Sequence, residues 1–380
     1  MTILFRSKNK ATRSLGNIYG VTRSPDYSAL IDFNLGACRV RSGESYIDLP
    51  IGDAVVCERA TPGEYLDKNG VVRVAGSNVP RISYFPEYGL SGLLIEPERT
   101  NHLNNPLSPV TQTVSVPSAA ANLYVVLTVE GTGSAAMSGD ISGATPPAIS
   151  GRSQGAVLVN PGSGTSSVTV TVTGNVTRFQ LEVANGGSAS GPHATSFMPS
   201  GVTTRAEDRC RISDAVFSRL GSGKGTIVGH FIDTLRTPNP VTSAPGYFAL
   251  LNSGALSGGL HLRRAVSPSN TQVIANAVTQ GANTSAKQAT AVIIGSRDTT
   301  AALSYDNAGQ IMRSAVNGVG TEATGAYSFT PTQLYLGGRG PSNFTSGGWR
   351  GFGGILTSLL IYNRAMEADE LAAVSRLWQA

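Results

Sequence analysis

A chain of 380 residues is long enough for two or three domains, each with its own core. Hydrophobic residues make up 40% but charged residues only 14%, and 45 Gly and 20 Pro punctuate many short β-branched blocks. That composition excludes a disordered polar chain and predicts an all-β fold with frequent tight turns. The formal net charge of +5 is mild for this length.

Part of that charge lies at the start, where Arg6, Lys8, Lys10, Arg13 and Arg23 precede the first acid, Asp26. A basic run can bind nucleic acid, but no aromatic-plus-basic recognition motif follows it, which argues against nucleic acid as a partner. Residues 1–50 therefore read as an N-terminal extended arm, either a solvated tail or a docking segment for a partner protein. Met1–Phe5 is too short for the apolar core of a signal peptide, and no segment reaches the length of a transmembrane helix, so the expectation is folding in a cytoplasm without membrane insertion. Short apolar pieces at Ala29–Ile31, Tyr46–Leu49 and Ala54–Cys57 predict strands, with turns at Ser42-Gly43 and Ile51-Gly52-Asp53.

Residues 51–103 form an adapter segment. Asp67-Lys68-Asn69-Gly70 is a strong hairpin turn between Glu64–Leu66 and Val71–Val74. Arg81–Tyr84 and Leu93–Glu96 are further strand candidates around the loop at Pro86–Gly89. Residues 104–204 shift to Ser, Thr, Gly, Ala and Val. Ser167–Thr173 alternates Val and Thr strictly, the period of a half-buried antiparallel strand, and Leu123–Val129 and Arg178–Val183 accompany it. Residues 205–380 hold a second run of strands, at 225–231, 247–251, 260–263, 272–275, 291–294, 301–305, 334–337 and 354–362, spaced as in a β-sandwich. A closing helix over about 367–378 presents Leu371, Val374, Leu377 and Trp378 on one face. The predicted fold is thus all-β: an arm, then two antiparallel, jelly-roll-like sandwiches and a short C-terminal helix.

Cys38, Cys57 and Cys210 are odd in number and widely spaced, which predicts free, buried thiols rather than a disulfide framework or zinc cluster. His102, His193, His230 and His261 have no metal spacing and read as structural. Gly221–Thr226 lacks the spacing and following helix of a phosphate loop. A glycosidase needs two carboxylates across a cleft, and nothing in the sequence pairs Asp298, Asp306 or Glu322. Asp306-Asn307 could contribute to a calcium site, but a type I′ turn explains Asn307 equally well. No cofactor is expected beyond that calcium candidate. Sugar binding uses exposed aromatic platforms beside planar hydrogen-bonding groups; Trp349 with Arg339 and Arg350 is the best such cluster, the alternative being that Trp349 packs inside its sandwich. Glu96, Glu98 and Arg99 form a charged, proline-broken strip suited to bracing one domain against the next.

Three blocks in order carry a family resemblance. The first is Glu64-Tyr65-Leu66-Asp67, Gly70-Val71-Val72, Asn78-Val79-Pro80-Arg81, Gly92-Leu93-Leu94-Ile95-Glu96 and Arg99-Thr100-Asn101; the second is Gln180-Leu181-Glu182; the third is Ala194–Pro199 followed by Thr204-Arg205-Ala206-Glu207-Asp208. Together they resemble tail-fibre-like virion proteins of tailed bacteriophages, in which such a segment precedes a carbohydrate-binding-module-like sandwich. Leu334–Arg339, Trp349–Ile355 and Leu360–Met366 resemble the closing strands of a concanavalin-like, laminin-G-like domain. The resemblance implies a non-enzymatic virion structural protein, made in the bacterial host cytoplasm and assembled into the particle. Its arm would bind other virion proteins and its sandwiches host-surface polysaccharide; a capsid decoration or baseplate protein that binds only virion neighbours is the alternative. By analogy with fibres it implies a homo-oligomer, a trimer.

Overall fold

The computed structural model describes residues 26–378 except 87, 119–122, 142–148, 151–152, 159–163, 186–193, 234–245, 253–257, 268–269, 280–292, 295–297, 326–329 and 338–353. Among the described residues the fold is all-β and sandwich-like, with three short helices.

The first sandwich follows from the alternation in its strands. Thr165–Thr173 turns Ser166, Val168 and Val170 inward and exposes Thr165, Ser167, Thr171 and Thr173. It lies between Gln112–Pro117 and Ser134–Gly139, with Ile149–Ser150 completing a four-stranded sheet. The facing sheet runs Ser153–Leu158, Leu123–Gly131, Val176–Asn185, Arg99–Asn101, Thr203–Arg205. Leu127, Met137, Val168, Phe179 and Leu181 fill the space between them.

The second sandwich is assembled from both ends of the chain. A ten-stranded sheet contains Ala29–Asp32, Ala37–Ser42 and Ser45–Pro50 from the N-terminal region, Ile82–Phe85 and Leu90–Ile95 from the adapter, and Lys224–Asp233, Asp298–Asp306, Ile311–Val316, Val319–Thr324 and Gly354–Tyr362. A seven-stranded sheet opposes it and ends Gln333–Leu336, Arg209–Ile212, Val55–Glu58. Ile31, Cys57, Leu93, Cys210, Leu303 and Ile361 share the core between these sheets.

This arrangement corrects the expected arm and the linear boundaries. Residues 26–50 are not an arm: Ala29–Asp32 is buried throughout and pairs with Gly354–Tyr362 in the register Ala29↔Ile361 to Asp32↔Ser358. Three apolar residues and an aspartate do not reveal that their partner lies more than three hundred residues away; only the closed sheet does. Residues 1–25 lie outside the described residues. The first sandwich is therefore inserted into the second, with the adapter strands on one side of the insertion and Arg209–Ile212 on the other.

The closing helix, Ala368–Val374, is shorter than expected but uses the expected face. Leu371, Val374 and Trp378 pack against Leu30, Val228 and Leu360 on the outer side of the ten-stranded sheet, with Leu377 partly buried beside them. The Ile51-Gly52-Asp53 turn is a one-turn helix, Ile51–Ala54. The hairpin Gly63–Leu66/Val72–Ala75 forms as predicted; Asp67 Oδ1 accepts from the N–H of Asn69 and of Val71 at 2.9 Å each, and Gly70 supplies the positive φ of 75°. At Asn307 the expectation fails. The loop after Asp298–Asp306 places its positive φ, 54°, on Gln310, and Asp306 Oδ1 accepts from the N–H of Ala308 and Gly309 at 3.0 Å each.

The thiol expectation is corrected too. Cys57 and Cys210 stand opposite each other in the Val55–Glu58/Arg209–Ile212 pair and form a disulfide. Spacing along the chain carries no information about this register. Cys38 is free and buried, and burial, with Asp48 adding, pushes its thiol up to about 12.

Candidate functional site

Two short strands make the neck between the sandwiches. Arg99–Asn101 leads into the first sandwich and Thr203–Arg205 leads out, paired Thr203↔Asn101 to Arg205↔Arg99. Asn101 is fully buried. Its Oδ1 accepts from the N–H of Leu103 at 3.1 Å and of Leu181 at 3.2 Å, and its Nδ2 donates to the carbonyls of Leu103 and Gly201. One amide side chain thus ties the incoming strand, the outgoing strand and Val176–Asn185 together.

Beside the neck lies a buried ionic network. Arg81 Nη1 donates to Glu96 Oε2 and to Ser196 Oγ, both at 2.7 Å, and to the Glu64 carbonyl at 3.0 Å; its Nη2 meets Asp208 Oδ2. Arg205 Nη1 reaches the same Glu96 oxygen at 2.8 Å, and its Nη2 donates to the Pro97 carbonyl at 2.9 Å. Arg59 Nη1 donates to Asp208 Oδ1 at 2.7 Å, while Thr61 and Gly76 carbonyls accept from the rest of its guanidinium. The backbone closes the ring: Glu96 N–H donates to Asp208 Oδ2, and Asp208 N–H to the Glu96 carbonyl. At the edge, Arg178 Nη2 pairs with Glu64 Oε2 at 2.7 Å, and its guanidinium sits 3.8 Å over the Phe197 ring.

Local sequence explains why these groups converge. Arg81 and Glu96 flank the hairpin Ile82–Phe85/Leu90–Ile95, whose register places its two outer ends side by side. Ser196 lies in a segment held to the first sandwich by two strand side chains. Glu182 accepts from the N–H and hydroxyl of Thr195, and Gln180 Oε1 accepts from Met198 N–H at 2.6 Å. The Gln-Leu-Glu strand thus fixes the outgoing chain by turning its two polar side chains away from the core and onto that chain.

Burial shapes the electrostatics. It would raise the Glu96 pKa, but Arg205, Arg81 and the Ser196 hydrogen bonds outweigh it and hold that carboxyl at about 2. It also opposes the charge on Arg81, where Glu96 and Asp208 win and hold the pKa above its ordinary value. Arg205 gives way: burial, with Arg81 adding, leaves it below the usual arginine value despite Glu96. Glu182 is raised by burial against the pull of Arg99.

Chemically, this arrangement holds rather than reacts. All four oxygens of Glu96 and Asp208 already accept hydrogen bonds: Glu96 Oε1 from Ser196 N–H at 2.7 Å, and the other three from the arginines named above. A general acid or base needs a carboxyl oxygen aimed at a substrate proton, and these are aimed at fixed cations.

The structure places the residues singled out by sequence as follows. Glu96 is at the network's centre. Glu98 is exposed and reaches none of the network. Arg99 Nη1 donates to the Glu98 carbonyl at 3.1 Å, and burial holds its pKa down with Glu182 opposing. Arg339, Trp349 and Arg350 lie outside the described residues. His230 is buried between Thr357 and Asp298, 2.5 Å from Asp298 Oδ1, and stacks 5.5 Å from Trp378, a structural position. Among the described residues no group of three His, Cys, Asp or Glu is placed to hold a metal ion. Sequence reasoning missed Arg81, Arg205 and Asp208 as partners of Glu96, and Arg59 as a partner of Asp208. The available signal was that Arg81, Glu96, Arg205 and Asp208 all fall inside the blocks that carry the family resemblance.

No protein-family model matches this chain, and no curated protein matches it. Among solved structures, the CBM40 of Ruminococcus gnavus IT-sialidase bound to alpha2,3 sialyllactose is similar at 21% identity, covering 42% of this chain and 86% of that one, with a TM-score of 0.32. A leech intramolecular trans-sialidase is similar at 20% identity, covering 44% of this chain and 25% of its own, with a TM-score of 0.32. The NanB sialidase from Streptococcus pneumoniae is similar at 16% identity, covering 42% and 25%, with a TM-score of 0.28. Superpositions this loose assign neither a site nor an activity to this chain.

Proposed function

We propose that this chain is a non-enzymatic structural protein of a tailed-bacteriophage virion, of the tail-fibre-like type, that displays two β-sandwiches for attachment to host-surface glycan. One observation carries the reading. The three sequence blocks behind the family resemblance, spread from Glu64 to Asp208, supply most of the neck strands, the Asn101 tie and the ionic network except Arg59 and Arg178. The resemblance is therefore concentrated in the part that sets how the two sandwiches are held, as expected of a display adapter and not of an active site.

In this reading residues 1–25 face the particle, the first sandwich is carbohydrate-binding-module-like and the second concanavalin-like. A rigid neck suits weak glycan contacts: each contact then costs little ordering entropy, and many copies on one particle multiply them. Arg339, Trp349 and Arg350 remain the glycan candidates, with the aromatic face stacking on a sugar ring and the guanidinium groups donating to hydroxyl or acidic substituents.

A glycan array probed with the full-length protein displayed on beads tests this. Binding to bacterial envelope glycans that falls at least ten-fold in Trp349→Ala, with the melting temperature unchanged, is the expected result. Absence of binding at every valency would overturn the adhesive role and leave a protein that contacts only other virion components.

A further inference from the structure

The position of the Cys57–Cys210 disulfide suggests a role separate from glycan display. Cys57 and Cys210 are 153 residues apart in sequence, with their Cα atoms 4.1 Å apart across the antiparallel pair. Two residues from the cysteines, toward the neck, stand Arg59 and Asp208, and the Arg59 guanidinium meets the Asp208 carboxylate. Between the two cysteines lie the adapter strands and the whole first sandwich. The bond therefore closes the chain at the point where the inserted sandwich leaves and rejoins the second sandwich.

We propose that Cys57 and Cys210 form a redox-operated clasp on the neck: closed, it holds the chain crossings that carry the ionic network in register; open, it leaves them to the network and backbone pairing alone. Three further features fit this role. Val55–Glu58 is the terminal strand of its sheet, so it can fray from Arg209–Ile212 without disturbing other strand pairs. Both cysteines are buried, which protects the closed bond until that strand opens. The third cysteine, Cys38, has little thiolate with which to attack the bond, so disulfide exchange is confined to the pair.

Closure is a two-electron oxidation. One thiolate attacks the sulfur of a small-molecule disulfide such as oxidised glutathione and releases one reduced thiol. The second cysteine then attacks the mixed disulfide, forms the Cys57–Cys210 bond and releases the second thiol. Two protons and two electrons pass from the protein to the oxidant, whose own S–S bond becomes two S–H groups. In a reducing compartment the clasp is open, and it closes on transfer to oxidising surroundings. The inference does not depend on what the sandwiches bind.

The test uses the full-length protein equilibrated in its native state with oxidised glutathione or with a phosphine reductant. Alkylation in denaturant should then find one thiol in the oxidised sample and three in the reduced one. Tryptic cleavage within residues 199–211 of the native protein should be at least ten-fold faster in the reduced sample. Cys57→Ser/Cys210→Ser should cleave at the reduced rate under both conditions, and Cys38→Ser should respond like the parent. If the double variant fails to fold, reduction of the parent protein supplies the comparison. Three thiols after oxidation, or equal neck cleavage rates in the two parent samples, would overturn the proposal.

Discussion

At the scale of single residues, the junction rests on Glu96. Its carboxylate is buried and shared by Arg81 and Arg205, so its worth lies less in attraction than in what its loss would leave behind. Glu96→Gln should strand two buried guanidinium groups and destabilise the protein by about 3–5 kcal/mol at neutral pH. The pH dependence has a defined sign. A carboxyl held at about 2, against an ordinary 4.5, stabilises the fold fully above 4.5 and loses that contribution as the pH falls toward 2. Glu64 and Glu182, raised by burial, act in the opposite direction and blunt this loss. Urea unfolding from pH 6 to about pH 2 should show the parent losing stability through that window and Glu96→Gln losing markedly less; equal slopes would remove Glu96 from the acid response. The sequence suggested Glu96, Glu98 and Arg99 as a unit because they are contiguous. The backbone separates them, turning Glu96 inward and leaving Glu98 in solvent. Glu96 and Glu98 sit in the break between the strands Leu90–Ile95 and Arg99–Asn101, around Pro97, where the alternation that would put them on one side does not hold.

At the scale of elements, the strands were the most legible part of the chain. The Val/Thr alternation of Thr165–Thr173 and the Asn-Gly hairpin are local signals, and local physics satisfies them. The missing piece was how the elements touch. Gly63 opens the first strand of the adapter hairpin, and a Cβ there would lie 3.1 Å from Arg81 Cδ and 3.3 Å from its Nε. The glycine is thus a seat for the arginine stem, not a turn residue. Gly63→Ala should shift the guanidinium off Glu96 and Asp208 and cost roughly 1–3 kcal/mol. Gly52→Ala, where a Cβ would meet nothing within 4 Å, is the control and should be near neutral. Thermal unfolding of the two variants checks this, and equal melting temperatures would show that the seat is slack.

At the scale of the molecule, the second sandwich is discontinuous, which changes how the chain can be cut. Removing residues 1–25 stops short of Asp26, which pairs with Arg364, and of the buried strand Ala29–Asp32. That truncation should leave the melting temperature within about 2 °C of the parent while abolishing incorporation into particles in the proposed role. Removing residues 1–50 deletes three strands of the ten-stranded sheet and bares Ser358–Ile361 along one edge, so it should yield insoluble protein. Expression, circular dichroism and particle assembly separate these outcomes. A soluble, folded 51–380 fragment would contradict the shared sheet.

The sequence by itself determined the all-β class, the strand positions, the main hairpins and the apolar face of the last helix. Each of these is set by interactions among residues close together in the chain. Tertiary structure alone decided that Ala29–Asp32 pairs with Gly354–Tyr362, that Cys57 faces Cys210, and that Arg59, Arg81 and Arg205 meet Glu96 and Asp208. Those pairings join segments from about 15 to more than 300 residues apart, and their selection depends on closing both sandwiches at once.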